Sequence, residues 1–327
     1  MIIVTGGAGF IGSNLVAALN EAGRHDVVVC DLLRDQGKWQ NLRKRIVQDI
    51  VPPDELMGWL GRRHDIEAIL HMGANSSTTM ADGEDAMKRN FRFSLGLLDW
   101  CTEHRVKLIY ASSAATYGDG AQGFDDDLSL PYLRQLRPLN LYGWSKHLFD
   151  QVVAVRQAEG QPLPPACVGL KFFNVFGPNE YHKSAMMSLV SKYFPAIRAG
   201  ETIDLFRSYR PDYADGEQLR DFVYVHDITE TILWLLAGYR GASLFNLGSG
   251  RARSFIDLVG AIFDSLGLPR KIRFVDMPES LRARYQYFTQ ANPARLQAAG
   301  YNRPGTPLEQ AVGHFVKTYL DTEDAYR

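Results

Sequence analysis

The chain opens MIIVTGGAGFIGSN, an apolar run followed by Gly6, Gly9 and Gly12 at every third position and then by a helical apolar pattern up to Gly23. A short buried strand over 2–5 must therefore turn sharply at the glycines and enter a helix over 10–22. Such a turn lets a ligand approach the backbone closely. It also leaves free N–H groups at the positive end of the helix dipole, a setting that suits a pyrophosphate. The glycines alone fit an ordinary strand-to-helix turn as well, so further marks are needed.

One such mark is VVVCD at 27–31, a second strand ending in Asp31, where an acid can bond ribose hydroxyls. Arg34 and Lys38 follow it, where a cation can meet a 2′-phosphate, so NAD against NADP stays open on these residues. Asp49 stands where it can accept from an adenine amino group or cap a helix.

The strand–helix cycle continues with strands at 46–48, 67–71, 106–111 and 166–171 and helices near 53–62, 84–104 and 141–159. That alternation predicts an α/β fold, a doubly wound parallel sheet with helices on both faces. After residue 172 the cycle weakens into longer loops, including RSYRPDYADGEQ at 207–218. We expect a nucleotide-binding domain over 1–172 and a smaller α/β substrate domain over 173–327, with 222–247 re-entering the first.

With 36 basic and 37 acidic residues in 327, the formal charge of −1 provides no field for a nucleic-acid backbone or an anionic membrane. A small molecule is the expected partner. The apolar stretch TILWLLAGY at 231–239 is well short of the roughly 20 residues that span a bilayer, and no signal-peptide pattern opens the chain. Cys30, Cys101 and Cys167 lack disulfide or metal spacing, so no metal is expected and a reducing cytoplasm fits.

The chemistry is carried by YGWSK, where Tyr142 and Lys146 stand four apart on one helix face, separated by about 6 Å of rise. A nearby lysine favours ionised tyrosine and so a phenol able to exchange a proton with an alcohol. SSAATYG at 112–118 follows the fifth strand, at the carboxyl edge where open parallel sheets bind ligands. Ser112 or Ser113 would complete a serine–tyrosine–lysine set around an alcohol or ketone, beside the small residues of HMGANSS at 71–77.

TGGAGFIG, HMGA, SSAATYG, YGWSK, FFNVFGP and RDFVYVHD, in this order over nearly the whole chain, resemble the extended short-chain dehydrogenases/reductases. Within them, NSSTT, PLNLYGWSKHLFD, FFNVFGPNEYHKSAMMS and RYQYFTQA resemble the ADP-heptose 6-epimerases, which invert a side-chain carbon of a nucleotide-activated heptose. The resemblance implies a Rossmann-type fold, one tightly held NADP, an ADP-sugar substrate and a homo-oligomer, usually a pentamer. Tyr142, Lys146 and Ser113 are then catalytic, and Lys183 of NEYHKSA becomes a second catalytic base, with His182 its neighbouring rival.

Cofactor contacts are implied for Gly6, Gly9, Phe10, Ile11 and Gly12, for Asp31, Leu32, Lys38 and Asp49, and for Met72, Gly73, Ala74, Asn75 and Ser76. Asn90, Lys146, Val175 and Lys183 complete them. Substrate contacts are implied for Ser76, Asn174, Ala185, Lys192, Phe206, Arg207, Ser208, Arg220 and Tyr285. Two departures stand out: YRPDYADGEQ lengthens the loop before Arg220, and Trp144, read as a packing residue, replaces a frequent tyrosine. A UDP-hexose 4-epimerase shares the catalytic trio. A dehydratase is disfavoured by the alanines of SSAATYG, and a non-catalytic cofactor-binding sensor by the retained tyrosine and lysine.

Overall fold

The computed structural model describes residues 1–34, 37–282 and 285–327. Seven parallel strands form the central sheet: β1 (Ile2–Thr5), β2 (Val27–Cys30), β3 (Asp49–Val51), β4 (Ala68–His71), β5 (Lys107–Ser113), β6 (Ala166–Phe172) and, much later in the chain, β10 (Gly241–Leu247). Their order is β10-β6-β5-β4-β1-β2-β3.

β1, β2 and β4 are buried at every residue, which is why they read as continuous apolar runs rather than alternating ones. The helices Phe10–Glu21 and Val225–Gly238 pack Leu15, Leu19, Ile228 and Ile232 onto one face. Phe93–His104 and Leu141–Ala158 pack Leu97, Leu98, Phe149 and Val153 onto the other. Each such side chain contributes about 1.5–3 kcal/mol on burial. The doubly wound layering is thus as the sequence predicts.

Elsewhere the second half holds β7 (Asn174–Phe176), β8 (Ile203–Phe206), β9 (Leu219–Tyr224), β11 (Ala252–Ser254) and β12 (Ile272–Val275). They make a three-stranded sheet, β11-β9-β7, and a β12-β8 pair. Three helices, Leu189–Arg198, Phe255–Leu266 and Leu308–Phe315, cover them around a third core that also takes in Phe10, so the first turn of the cofactor helix touches both halves. Within 222–247, only β10 enters the main sheet; β9 pairs in the small one.

Two local expectations are corrected. The third strand pairs over Asp49–Val51 rather than 46–48, because Val28 to Cys30 find their partners there. Trp144 is 44% exposed, so it does not pack in the core. The three cysteines are free and buried, and no helix among the described residues is long and apolar enough to cross a membrane.

Candidate active site

The glycine turn is built by its own backbone. Gly6 donates to Cys30 O (2.7 Å) and Gly9 to Gly6 O (2.9 Å). Gly6 has φ +65°, and a Cβ there would lie 2.7 Å from the Cα of Gly73 on the neighbouring loop. A Cβ on Gly12 would fall 2.2 Å from Gly6 O. No side chain caps the helix that starts at Phe10, so the dipole end and its first-turn donors face the cradle unanswered, as a pyrophosphate requires.

Asp31 closes this cradle from β2. Its carboxylate accepts from Ala8 N (2.9 Å), Leu32 N (2.7 Å) and the Lys38 ammonium, which also reaches Leu32 O (3.1 Å). The Asp31 charge is therefore already matched by Lys38. Asp49, exposed on β3, caps no helix; it accepts from Ile50 N and from the Trp59 indole (3.1 Å).

On the other flank, Met72 and Gly73 donate to the Thr5 carbonyl and hydroxyl, while Ala74 and Ser76 are exposed. Asn90, buried on a π-helical turn (Met87–Arg92), accepts from Asn75 N (2.8 Å) and donates to Asn75 O and Ser145 Oγ (3.0 Å each). Asn90 thus ties the 72–76 loop, through Asn75, to the tyrosine helix, through Ser145.

At the end of β5, Ser113 Oγ accepts from Ala115 N (3.1 Å), and Thr116 donates back to Ser113 O (2.7 Å). The facing helix is capped by Asn140, whose side chain accepts from Gly143 N (2.8 Å). Gly143 lets that helix approach so closely that a Cβ would sit 2.7 Å from Ala115 O. Tyr142, one turn before Lys146 on that helix, is thereby brought to Ser113 at the end of β5.

The electrostatics differ from the expected pattern in one respect. Burial raises the Tyr142 phenol above its ordinary pKa, and Ser113, rather than Lys146, is the side chain that works against this. Lys146 is itself only 3% exposed. Burial pulls its ammonium down to about 8, with Asp150 acting in the opposite sense. Burial therefore brings the deprotonation of Lys146 closer to neutral pH than in a solvated lysine.

Lys183 reaches the same region from the second half of the chain. Its Nζ lies 5.2 Å from the ring centroid of Phe10, at the start of the cofactor helix. Burial lowers its pKa, Glu180 opposes this, and Lys192 adds to it. His182 lies against Asn41 (3.3 Å) and is driven down to about 4, chiefly by burial, so it is neutral and turned toward the Asp31–Lys38 side. Ala185 and Lys192 are exposed nearby, Asn174 is exposed on β7, and Val175 is half-buried beside it.

Of the residues expected at the substrate, Arg220 is buried; its guanidinium donates to Leu219 O (2.8 Å) and Gln286 O and lies 5.3 Å from the Tyr285 centroid, with no carboxylate partner among the described residues. Phe206 meets Tyr285 edge-on at 6.4 Å. Arg207, by contrast, is exposed and paired with Asp215 (3.1 Å), and Ser208 N also donates to that carboxylate (2.8 Å). The inserted loop thus neutralises Arg207 and ties down Ser208. Arg284, first residue of RYQYFTQA, lies outside the described residues.

Some of the scaffolding gave little sequence signal. Glu180, fully buried, accepts from Ser188 N, Ser188 Oγ and Ser191 Oγ. Asn179, at φ +71°, donates to Ser13 Oγ and accepts from Arg327 N. Together they fix the Lys183 loop to the cofactor helix. An Asn-Glu pair after Gly-Pro was the available clue, but its partners lie far away in sequence.

The glycine cradle, the matched acid at β2 and the Ser–Tyr–Lys convergence over β5 define a nicotinamide-dependent enzyme acting on an alcohol carbon. Residues 2–248 match the NAD dependent epimerase/dehydratase family, to which the chain belongs. More particularly, it is similar over its whole length, and theirs, to two proteins named ADP-L-glycero-D-manno-heptose-6-epimerase, from Fusobacterium nucleatum (43% identical) and Nitratidesulfovibrio vulgaris (45%). The solved Helicobacter pylori protein of that name superposes with TM-score 0.78 at 29% identity, covering 97% of this chain and 95% of that one. A Methanobrevibacter ruminantium UDP-N-acetylglucosamine 4-epimerase, 23% identical with TM-score 0.77 over 98% of each chain, shares the fold.

Proposed function

We propose that the protein is an ADP-heptose 6-epimerase, converting ADP-D-glycero-D-manno-heptose to the L-glycero epimer for lipopolysaccharide core precursor synthesis. The observation that carries this reading is the placement of two basic sets about one cradle: Ser113, Tyr142 and Lys146 over β5, and Lys183 against Phe10 from the other half of the chain. Full-length relatives that bear this activity in their names support it.

Carbon 6 of such a heptose carries an ordinary secondary alcohol whose C–H bond no side chain can deprotonate. A bound nicotinamide supplies reversible hydride acceptance and return. The residues of this chain do the rest. Tyr142 in one pose, and Lys183 in the other, takes or returns the hydroxyl proton, while Ser113 bonds the sugar oxygen. The transient 6-keto sugar is planar and must present its opposite face by rotation, which carries its oxygen away from any single fixed base. Two bases answer that geometry. Arg220, buried with no carboxylate partner among the described residues, offers paired donors to the substrate diphosphate.

We further propose NADP, one per subunit, as the cofactor. Lys38 neutralises Asp31, and an acid so matched does not repel a 2′-phosphate. We also propose a homo-oligomer, a pentamer by the resemblance of the sequence. The substrate domain over 173–327, with part of 222–247 returned to the sheet, belongs to the same proposal. The test is direct: purified protein should epimerise ADP-heptose and leave UDP-galactose untouched. The converse preference would make it a hexose 4-epimerase.

A further inference from the structure

Beneath the Ser113–Tyr142–Lys146 site lies a buried ion pair that the reaction scheme does not use. Asp150 and Lys171 are both fully buried, with Lys171 Nζ 3.1 Å from Asp150 Oδ2. Asp150 stands on the catalytic helix one turn beyond Lys146, itself one turn beyond Tyr142, so the three share a face. Its carboxylate also accepts from Ser112 Oγ (2.7 Å) and Tyr110 OH (3.1 Å) on β5. Lys171, on β6, donates to Thr116 Oγ1 (2.6 Å), and Thr116 donates in turn to Ser113 O. One carboxylate thus joins the tyrosine helix, the serine strand and the strand leading to Asn174.

A fully buried ion pair adds little net stability over an apolar pair, so its presence at this point calls for another use. We propose that Asp150 is a positioning residue of the reaction, the counter-charge that holds Lys146 as an ammonium ion and fixes the tyrosine helix against the serine strand. This rests on the catalytic reading above.

The neighbours leave Asp150 that task. His71 of β4 faces Lys146 and is neutral, pushed down to about 3. Tyr110, Tyr117 and Cys167, which face Asp150, are all pushed up by burial and carry no charge at neutral pH. His147, also facing Asp150, is pulled down by burial. Among the described residues, the charged side chains of this cluster are Lys146, Lys171 and Asp150. Without the carboxylate, Lys146, already brought to about 8, loses the charge that opposes its dehydration and gives up its proton more readily.

The test measures the pH dependence of kcat and KM for ADP-heptose in three variants of the full chain. Asp150→Asn should move the alkaline limb of kcat to lower pH, with kcat at pH 8 falling about tenfold and KM within about twofold. Lys171→Met leaves Asp150 to Lys146 alone and should move the limb the other way. Asp150→Glu should restore the profile in part. A merely structural pair would lower stability and leave both limbs in place, and that result overturns the proposal. Should Asp150→Asn fail to fold, the Lys171→Met shift decides: upward supports, unmoved refutes. Trace acetylation of Lys146 against pH, read by peptide mass spectrometry, reports the same shifts without any turnover. An acetylation shift in a protein inactive on ADP-heptose would sink the assigned substrate and leave the role of Asp150 standing.

Discussion

His71 ends β4 just before the cofactor-side loop, and its protonation state is written in the hydrogen bonds around it. Ser94 Oγ gives its hydrogen to Asn90 O (2.7 Å), so it can only accept from His71 Nε2 (2.8 Å). Thr5 Oγ1 already accepts from Gly73 N (3.0 Å) and so gives its hydrogen to His71 Nδ1 (2.6 Å). A second proton on Nδ1 would meet the Thr5 hydroxyl hydrogen in a site from which water is excluded. Burial, then the Lys146 charge, accordingly pushes the imidazole down to about 3 from 6.5.

The sign follows. Because the folded pKa is depressed, the unfolded chain binds a proton that the native protein refuses. Stability is therefore complete above pH 6.5 and declines as the pH falls toward 3. For this one group, lowering the pH from 7 to 5 costs about 2 kcal/mol, and the full loss reaches about 5 kcal/mol. Urea unfolding of the protein and of His71→Gln at both pH values isolates the term, since other titrating groups cancel in the comparison. The variant should be less stable at pH 7 yet lose about 2 kcal/mol less on acidification. Equal losses, or a His71 ring proton titrating near 6.5 by NMR, would refute the reasoning.

Other substitutions probe the site itself. Gly12→Ala places a methyl against Gly6 O at 2.2 Å, so the purified variant should lose its nicotinamide absorbance while the far-ultraviolet circular dichroism is retained. Gly143→Ala forces the tyrosine helix from Ala115 O and should lower kcat with the cofactor still bound, as absorbance and steady-state kinetics together will show. Arg220→Ala removes the buried guanidinium and should raise KM for ADP-heptose about tenfold or more, equivalent to about 1.4 kcal/mol, with a smaller change in kcat. Tyr142→Phe and Lys183→Met should each abolish net epimerisation with the cofactor retained; near-normal turnover in Lys183→Met would eliminate the second base.

Much of the fold was legible because its signals are local. The buried strands β1, β2 and β4 are mainly apolar runs, and Gly6 and Gly12 mark a backbone approach that no other residue allows. The same holds for Tyr142 and Lys146, whose spacing on a helix fixes their common face. β3 was misplaced by a few residues because an edge strand of three residues, two of them exposed, carries almost no periodicity. Asn90, Glu180 and the Asp150–Lys171 pair were illegible for another reason. Their partners lie on other elements, so burial and pairing, not residue type, define what they do. Spacing likewise reveals the common face of Tyr142 and Lys146 but not the burial of Lys146.

The central claim is that hydride leaves and returns to carbon 6 on a cofactor that stays bound. It is tested by incubating the protein as purified with ADP-D-glycero-D-manno-heptose in deuterated water, without added nicotinamide, and following carbon 6 by NMR. The account predicts many inversions per bound cofactor and no deuterium at that carbon. Deuterium at carbon 6, or inversion only when cofactor is supplied in step with substrate, would contradict it.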